Sequence, residues 1–246
     1  MRNPEYEERL RGKLPLSAME IEELNMLKDK IYSKTGKKEE LKKEFKRKAD
    51  YLNAGIPPLY WDIDWEDFRG DKVSFDFVRK YIENIEKALE AGQGIIFSGS
   101  HGTGKTTLAC LILKEAIKRG YTARYISAAK IIDMIMENFN HKGRNRLDIL
   151  IERVEFMVLD DLGKEYKGVR GQLNPMVSLK LDSLLRERVN RSLVTISTTN
   201  YTLKAIQREY GDSVLSVLGG TSKGIDVKGL DYRIRKRKDF WKELDD

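Results

Sequence analysis

Residues 99–106 read Gly-Ser-His-Gly-Thr-Gly-Lys-Thr, a complete G-x-x-x-x-G-K-[ST] pattern, and no other stretch of this 246-residue chain restricts its fold so tightly. Such a loop works only as the turn between a buried strand and a helix N-terminus, where unpaired backbone N–H groups and the helix dipole meet phosphate. The flanks fit. Residues 94–98, Gly-Ile-Ile-Phe-Ser, read as a buried strand, and residues 107–119 read as a helix. The loop therefore predicts a bound nucleoside triphosphate held by Gly99, Ser100, His101, Gly102, Thr103, Gly104, Lys105, Thr106 and Thr107. Lys105 is expected to reach the β- and γ-phosphates and the Thr106 hydroxyl to ligate Mg²⁺, so ATP and Mg²⁺ are the expected cofactors.

Two further strands end in polar groups. Residues 154–159 are an apolar run closed by Asp160 and Asp161. At a strand end beside the phosphate loop, Asp160 is expected to hold Mg²⁺ through its water shell and Asp161 to act as general base on the attacking water. Residues 193–200, Leu-Val-Thr-Ile-Ser-Thr-Thr-Asn, place Asn200 at the crevice end of a parallel strand, in reach of the γ-phosphate or the lytic water. The same cluster also reads as the cap of a helix opening at Leu203, with Thr202 the better capping residue.

Beyond the loop, the pattern alternates: strand 121–127, helices 129–139 and 146–152, strand 154–159, helix 176–190, strand 192–198, helix 203–210, then a short strand near 224–228. Strands alternating with helices imply an α/β fold with a parallel sheet covered on both faces. One helix is expected over Phe75–Leu89. The segment Ala54-Gly-Ile-Pro-Pro-Leu-Tyr-Trp61 punctuates the chain and divides it into a helical module, residues 1–53, and the main domain, residues 54–246. In the module, Ser17-x-x-Glu20 is a capping box opening a helix that carries Ile21, Leu24, Leu27 and Ile31 on one face. A second helix follows over Glu39–Leu52. Their narrow apolar stripe needs a partner surface, either on the main domain or on another protein.

Cys110 is the only cysteine, which excludes an intrachain disulfide and a cysteine-based zinc site. No apolar run reaches membrane-spanning length and the first residues lack a signal-peptide core, so a cytoplasmic protein with no membrane contact is expected. The net charge of +7 makes an anionic partner plausible. The charge concentrates in two places. Lys142, Arg144 and Arg146, beside Phe139, suit a single-stranded nucleic-acid backbone, or form a solvated loop. The run 233–238, Arg-Ile-Arg-Lys-Arg-Lys, suits phosphates, or is a solubilising patch.

Taken together, Gly-Ser-His-Gly-Thr-Gly-Lys-Thr-Thr, then Leu-Asp-Asp-Leu-Gly-Lys-Glu, then Ser-Thr-Thr-Asn-Tyr resemble the Walker A, Walker B and sensor 1 elements of AAA+ P-loop ATPases. More narrowly they resemble the DnaC/DnaI helicase loaders and the related transposition ATPase IstB. The segment Ala54–Tyr60 looks like the loader-type lead-in, and the resemblance spans roughly residues 54–235. It implies an ATPase that forms a homo-oligomer on ATP and DNA, binds single-stranded DNA and delivers a replicative hexameric helicase. The alternative it implies is a transposition helper that assembles on duplex DNA and recruits a transposase. In Gly229-Leu-Asp-Tyr-Arg233 the resemblance makes Arg233 a sensor 2 that reaches the nucleotide. One departure stands out. Where the loaders carry a Ser-Arg-Leu arginine finger, this chain has Ser216-Val217-Leu218, which implies slow turnover or a substitute among Arg186, Arg188 and Arg208.

Overall fold

The computed structural model describes residues 18–33, 37–138, 146–163, 175–232, 234 and 241. Five parallel strands make one sheet: β1 (Gly94–Ser98), β2 (Ala123–Ser127), β3 (Phe156–Leu162), β4 (Val194–Thr199) and β5 (Ser222–Asp226). Their spatial order is β2-β3-β4-β1-β5. The chain thus leaves β1 for the far edge, returns through β3 and β4, and passes over β1 to lay down β5. Residues 95–97 of β1 pair with residues 196–198 of β4, and Gly94–Ser98 pair with Ser222–Asp226 of β5. A strand buried on both faces needs no polar alternation, which is why Ile95, Ile96 and Phe97 follow one another.

Helices cover both faces of this sheet. α1 (Ala18–Tyr32) and α2 (Lys38–Asn53) form the N-terminal arm, and α3 (Lys72–Glu83) and α4 (Ile85–Glu90) precede β1. α5 (Lys105–Lys118) follows the phosphate loop. α6 (Ala128–Asn138), α7 (Arg146–Glu152), α8 (Pro175–Asn190) and α9 (Leu203–Thr221) complete the set. α5 is nearly surrounded: Leu108, Ala109, Cys110, Leu111, Ile112, Leu113 and Ala116 are all buried. Burial of each large apolar side chain there contributes roughly 1.5–3 kcal/mol, which makes this helix a stiff platform for the loop before it.

Three local outcomes differ from the sequence expectation. The single helix over Phe75–Leu89 is two, because Asn84 leaves the helical region and its side-chain amide donates to the Lys80 carbonyl. The helix from Leu203 continues past Tyr210 after a break at Gly211, whose φ of 87° only glycine adopts freely, and its second half buries Val214, Val217 and Leu218. β3 runs on through both acids to Leu162, with a bulge against β4 between Leu159 and Leu162. The expected capping box begins at Ser17, outside the described residues.

The arm is docked. Ile31 is buried and Leu24 and Leu27 pack against the core that contains Tyr51, Leu52 and Ala54, while Ile21 stays 48% exposed. Much of the apolar stripe is therefore covered by this chain itself. Lys48 adds an ion pair to Asp62 at 2.8 Å, and the guanidinium of Arg124 on β2 donates to the Asn53 carbonyl and pairs with Glu20 at 3.7 Å.

Candidate nucleotide-binding site

The C-terminal ends of β1, β4 and β3 open on one crevice, at the point where the order of strands reverses, the place where α/β sheets hold ligands. The glycine loop joins β1 to α5. At Gly102 the backbone has φ of 71°, and a Cβ there would lie 1.9 Å from a carboxylate oxygen of Asp231, so a side chain would strain the backbone and push the Asp231 carboxylate aside. Gly104 caps α5 in the left-handed region with no side chain accepting from the first turn. The first N–H groups of α5 are therefore uncovered by a side-chain cap, the arrangement an anionic phosphate needs. Lys105 is buried, and its Nζ donates to the carbonyls of Gly99 at 2.9 Å and Ser100 at 2.6 Å. Thr103 is buried and donates to Ser100 O, Thr107 is half-buried, and Ser100 and His101 are exposed.

Asp160 sits in β3 opposite Ser127 of β2 and is 5% exposed. Three hydroxyls donate to its carboxylate: Thr106 at 2.9 Å and Thr198 at 2.6 Å to Oδ1, and Tyr125 at 2.5 Å to Oδ2. A carboxylate and a threonine hydroxyl held side by side are hard oxygen donors of the kind Mg²⁺ takes, with water completing its shell. The donor set fits the metal. Asp161 has φ of 59°, unusual for a residue with a side chain, and its N–H donates to Thr198 Oγ1 at 2.9 Å. That left-handed backbone costs on the order of 1 kcal/mol and turns the second acid away from the pleat of the first. Asn200 is half-buried directly after β4, and Thr202 rather than Asn200 caps α9, accepting from the Ala205 N–H at 3.2 Å.

Two tyrosines and a phenylalanine complete the wall. Burial, with Cys110 and Asp160 nearby, pushes the Tyr60 phenol up to about 12, and the phenol lies against the Thr106 side chain. Burial and the Asp160 carboxylate raise Tyr125 as well. Both phenols therefore remain proton donors at neutral pH. The Phe68 ring lies where a Cβ of Gly104 would be, and stacks on Phe75 with centroids 5.4 Å apart. The segment after β5 is fastened over the loop: Asp71 accepts from the Lys228 N–H, and the Tyr232 N–H donates to Gly102 O at 3.0 Å. Arg233 lies outside the described residues, next to this anchored Tyr232.

A sequence profile described as "IstB-like ATP binding protein" matches residues 37–239, most of the chain. The protein belongs to this AAA+ family. The replicative helicase loader DnaC of Escherichia coli (strain K12) is 23% identical over 197 residues, covering 77% of each chain. The ATP-binding protein of insertion sequence IS5376 from Geobacillus stearothermophilus is 26% identical over 156 residues, 61% of this chain and 59% of that one. Among solved structures, the DnaC helicase loader superposes with a TM-score of 0.61 at 23% identity, covering 70% of this chain and all of that one. DnaI superposes with a TM-score of 0.59 at 18% identity, covering 70% of this chain and 95% of the other. These likenesses establish the AAA+ P-loop fold expected from the three motifs.

Within this family member, one candidate is corrected. Arg188 cannot be a finger that reaches a neighbouring subunit, because it is fully buried. Its guanidinium donates to the carbonyls of Leu150, Val154 and Val194 and to the Thr195 hydroxyl, tying α8 to α7 and β4. Val217 is buried as well. Arg186 pairs with Asp182 at 2.9 Å and donates to Ser213, whereas the Arg208 side chain is 75% exposed. Lys142 and Arg144 lie outside the described residues, as does the side chain of Arg146, which opens α7. No group of three His, Cys, Asp or Glu able to hold a metal occurs among the described residues, and no helix there is long and apolar enough to cross a membrane.

Sequence reasoning missed Thr198, Tyr125, Tyr60, Phe68 and Asp231. Thr198 stood inside the polar cluster that drew attention to Asn200, and Tyr125 stood within the expected strand 121–127. Tyr60 stood in the Ala54–Tyr60 lead-in, where no sequence pattern assigned it a role at the nucleotide site.

Proposed function

We propose that the protein is an ATP-hydrolysing loader that delivers a replicative hexameric DNA helicase to single-stranded DNA. The supporting observation is the similarity to DnaC, 23% identical over 197 residues and covering 77% of both chains. In this reading Lys105 neutralises the β- and γ-phosphates, and the bare N-terminus of α5 receives their oxygens. Thr106 and Asp160 hold Mg²⁺, which supplies charge neutralisation on the phosphates when bound. Asp161 takes the proton of the attacking water, and Asn200 orients that water. Arg233 acts as a sensor 2 on the nucleotide. Copies of the chain assemble on ATP and DNA, with Lys142, Arg144 and Arg146 on the single strand. With Val217 at the finger position and Arg188 committed to the core, turnover by the isolated protein is slow and ATP acts chiefly as an assembly switch.

The similarity to the insertion-sequence protein favours a second reading, a transposition helper that assembles on duplex DNA and recruits a transposase. One experiment separates them. The full chain, with ATP and Mg²⁺, is tested for co-purification with a hexameric helicase and, in parallel, for filaments on duplex DNA by electron microscopy. Stable helicase capture without duplex filaments supports the loader; filaments without capture overturn it.

A further inference from the structure

We infer that Arg124 and Tyr125, neighbours on edge strand β2, couple the seating of the N-terminal arm to the carboxylate of Asp160. Successive side chains of a strand point to opposite faces, and here each face has a different client. The Arg124 guanidinium donates to the Asn53 carbonyl at the end of α2 and pairs with Glu20 of α1. The Tyr125 hydroxyl donates to Asp160 Oδ2 at 2.5 Å. Between the two side chains, the Tyr125 N–H donates to the Ala54 carbonyl at 2.7 Å, so the arm's exit is hydrogen-bonded to the strand edge. A Cβ at Gly55 would lie 2.9 Å from the Tyr125 carbonyl, which shows how closely that exit runs against β2.

The same segment reaches the other proposed metal ligand. Tyr60 lies against Thr106, and buried Lys114 of α5 donates to the carbonyls of Tyr60, Trp61 and Ile63. Residues 53–63 therefore bear on Thr106 through Tyr60 and on Asp160 through Tyr125. Thr106 can ligate a metal through a lone pair of Oγ1 while its hydroxyl proton still points to Asp160. The bonds from Thr198 and Tyr125 keep the carboxylate aimed. Tyr125 is a positioning residue in this arrangement. What the arm captures is thereby felt at the metal site, and by linkage a bound metal must alter the arm by the same factor.

This inference rests on the reading of Thr106 and Asp160 as the metal pair, and the test separates the two. Hydrogen exchange of amides 18–33 and 38–53 is followed in the full chain with ADP, with and without Mg²⁺. Mg²⁺ is expected to slow arm exchange about fivefold or more, within the usual range of coupled sites. Tyr125→Phe, which keeps the ring, should lose the Mg²⁺ effect on the arm. Arg124→Gln should raise the Mg²⁺ concentration for half-maximal ADP binding by a similar factor, and add nothing in the Tyr125→Phe background. Asp160→Asn is the control. If it keeps the full Mg²⁺ response, the metal pair and the coupling both fall. If it loses the response while Tyr125→Phe keeps it, or if the Arg124 and Tyr125 effects simply add, the coupling alone is overturned.

Discussion

Replacing Arg188 by alanine tests whether this arginine belongs to the fold or to the chemistry. The side chain is fully buried, and burial lowers its pKa only to about 9, so it is charged at neutral pH. Its removal leaves Val154 O, Val194 O and Thr195 Oγ1, now 2.9, 2.7 and 3.0 Å from the guanidinium, without that donor, and Leu150 O as well. Each such group costs about 1–3 kcal/mol when left unsatisfied. Second lone pairs on the carbonyls and the recovered desolvation of the guanidinium pull the total toward the low end. A loss of about 3–5 kcal/mol results, the low end for four acceptors left without their donor. For a chain of this size that is a fall in Tm of roughly 10 °C. Urea unfolding and thermal melting by circular dichroism measure it, with steady-state ATP turnover recorded below the transition. Arg208→Ala, at an exposed position, is the companion and should change stability by no more than about 0.5 kcal/mol. An Arg188→Ala protein that melts like the parent but loses turnover a hundredfold would refute the structural assignment.

Lys105→Ala should abolish ATP binding in a calorimetric titration, since no other side chain in the loop can neutralise the β- and γ-phosphates. Asp161→Asn should still bind ATP but turn it over on the order of a hundredfold to ten-thousandfold more slowly, measured as phosphate release; a rate near the parent's would move the base to another residue. Changing Lys142, Arg144 and Arg146 together to alanine should weaken single-stranded DNA binding. It should also flatten the dependence of log affinity on log salt by about 0.7 per lost phosphate contact, read by fluorescence anisotropy.

The parallel α/β architecture and the phosphate loop were legible because both rest on local patterns. A glycine spacing demands one backbone path, and an apolar run bounded by turns demands a buried strand. Asp160 followed from the same logic, since an acid at the end of such a strand must emerge at the crevice. The break at Gly211 was visible as the end of a helix, but its continuation depended on Val214 and Leu218 finding the core. The two helices in place of Phe75–Leu89 depended on one competing amide, that of Asn84.

Ligand class and fold are thus properties of the chain's one-dimensional pattern, because phosphate is met by backbone groups whose path glycine spacing dictates. The roles of individual long side chains are not. Arg188 reads from sequence as a candidate arginine finger, and only the packing of α7, α8 and β4 shows that four acceptors already hold it. Leu24 and Leu27 read as a stripe that either the main domain or another protein could cover, and only the docking of α1 shows that this chain's own core packs against them. Tyr125 reads as one more strand tyrosine until β2 falls beside β3 and sets its hydroxyl on Asp160. A side chain's reach exceeds the spacing of its neighbours in sequence, so what it touches is decided by which distant elements the fold brings within that reach.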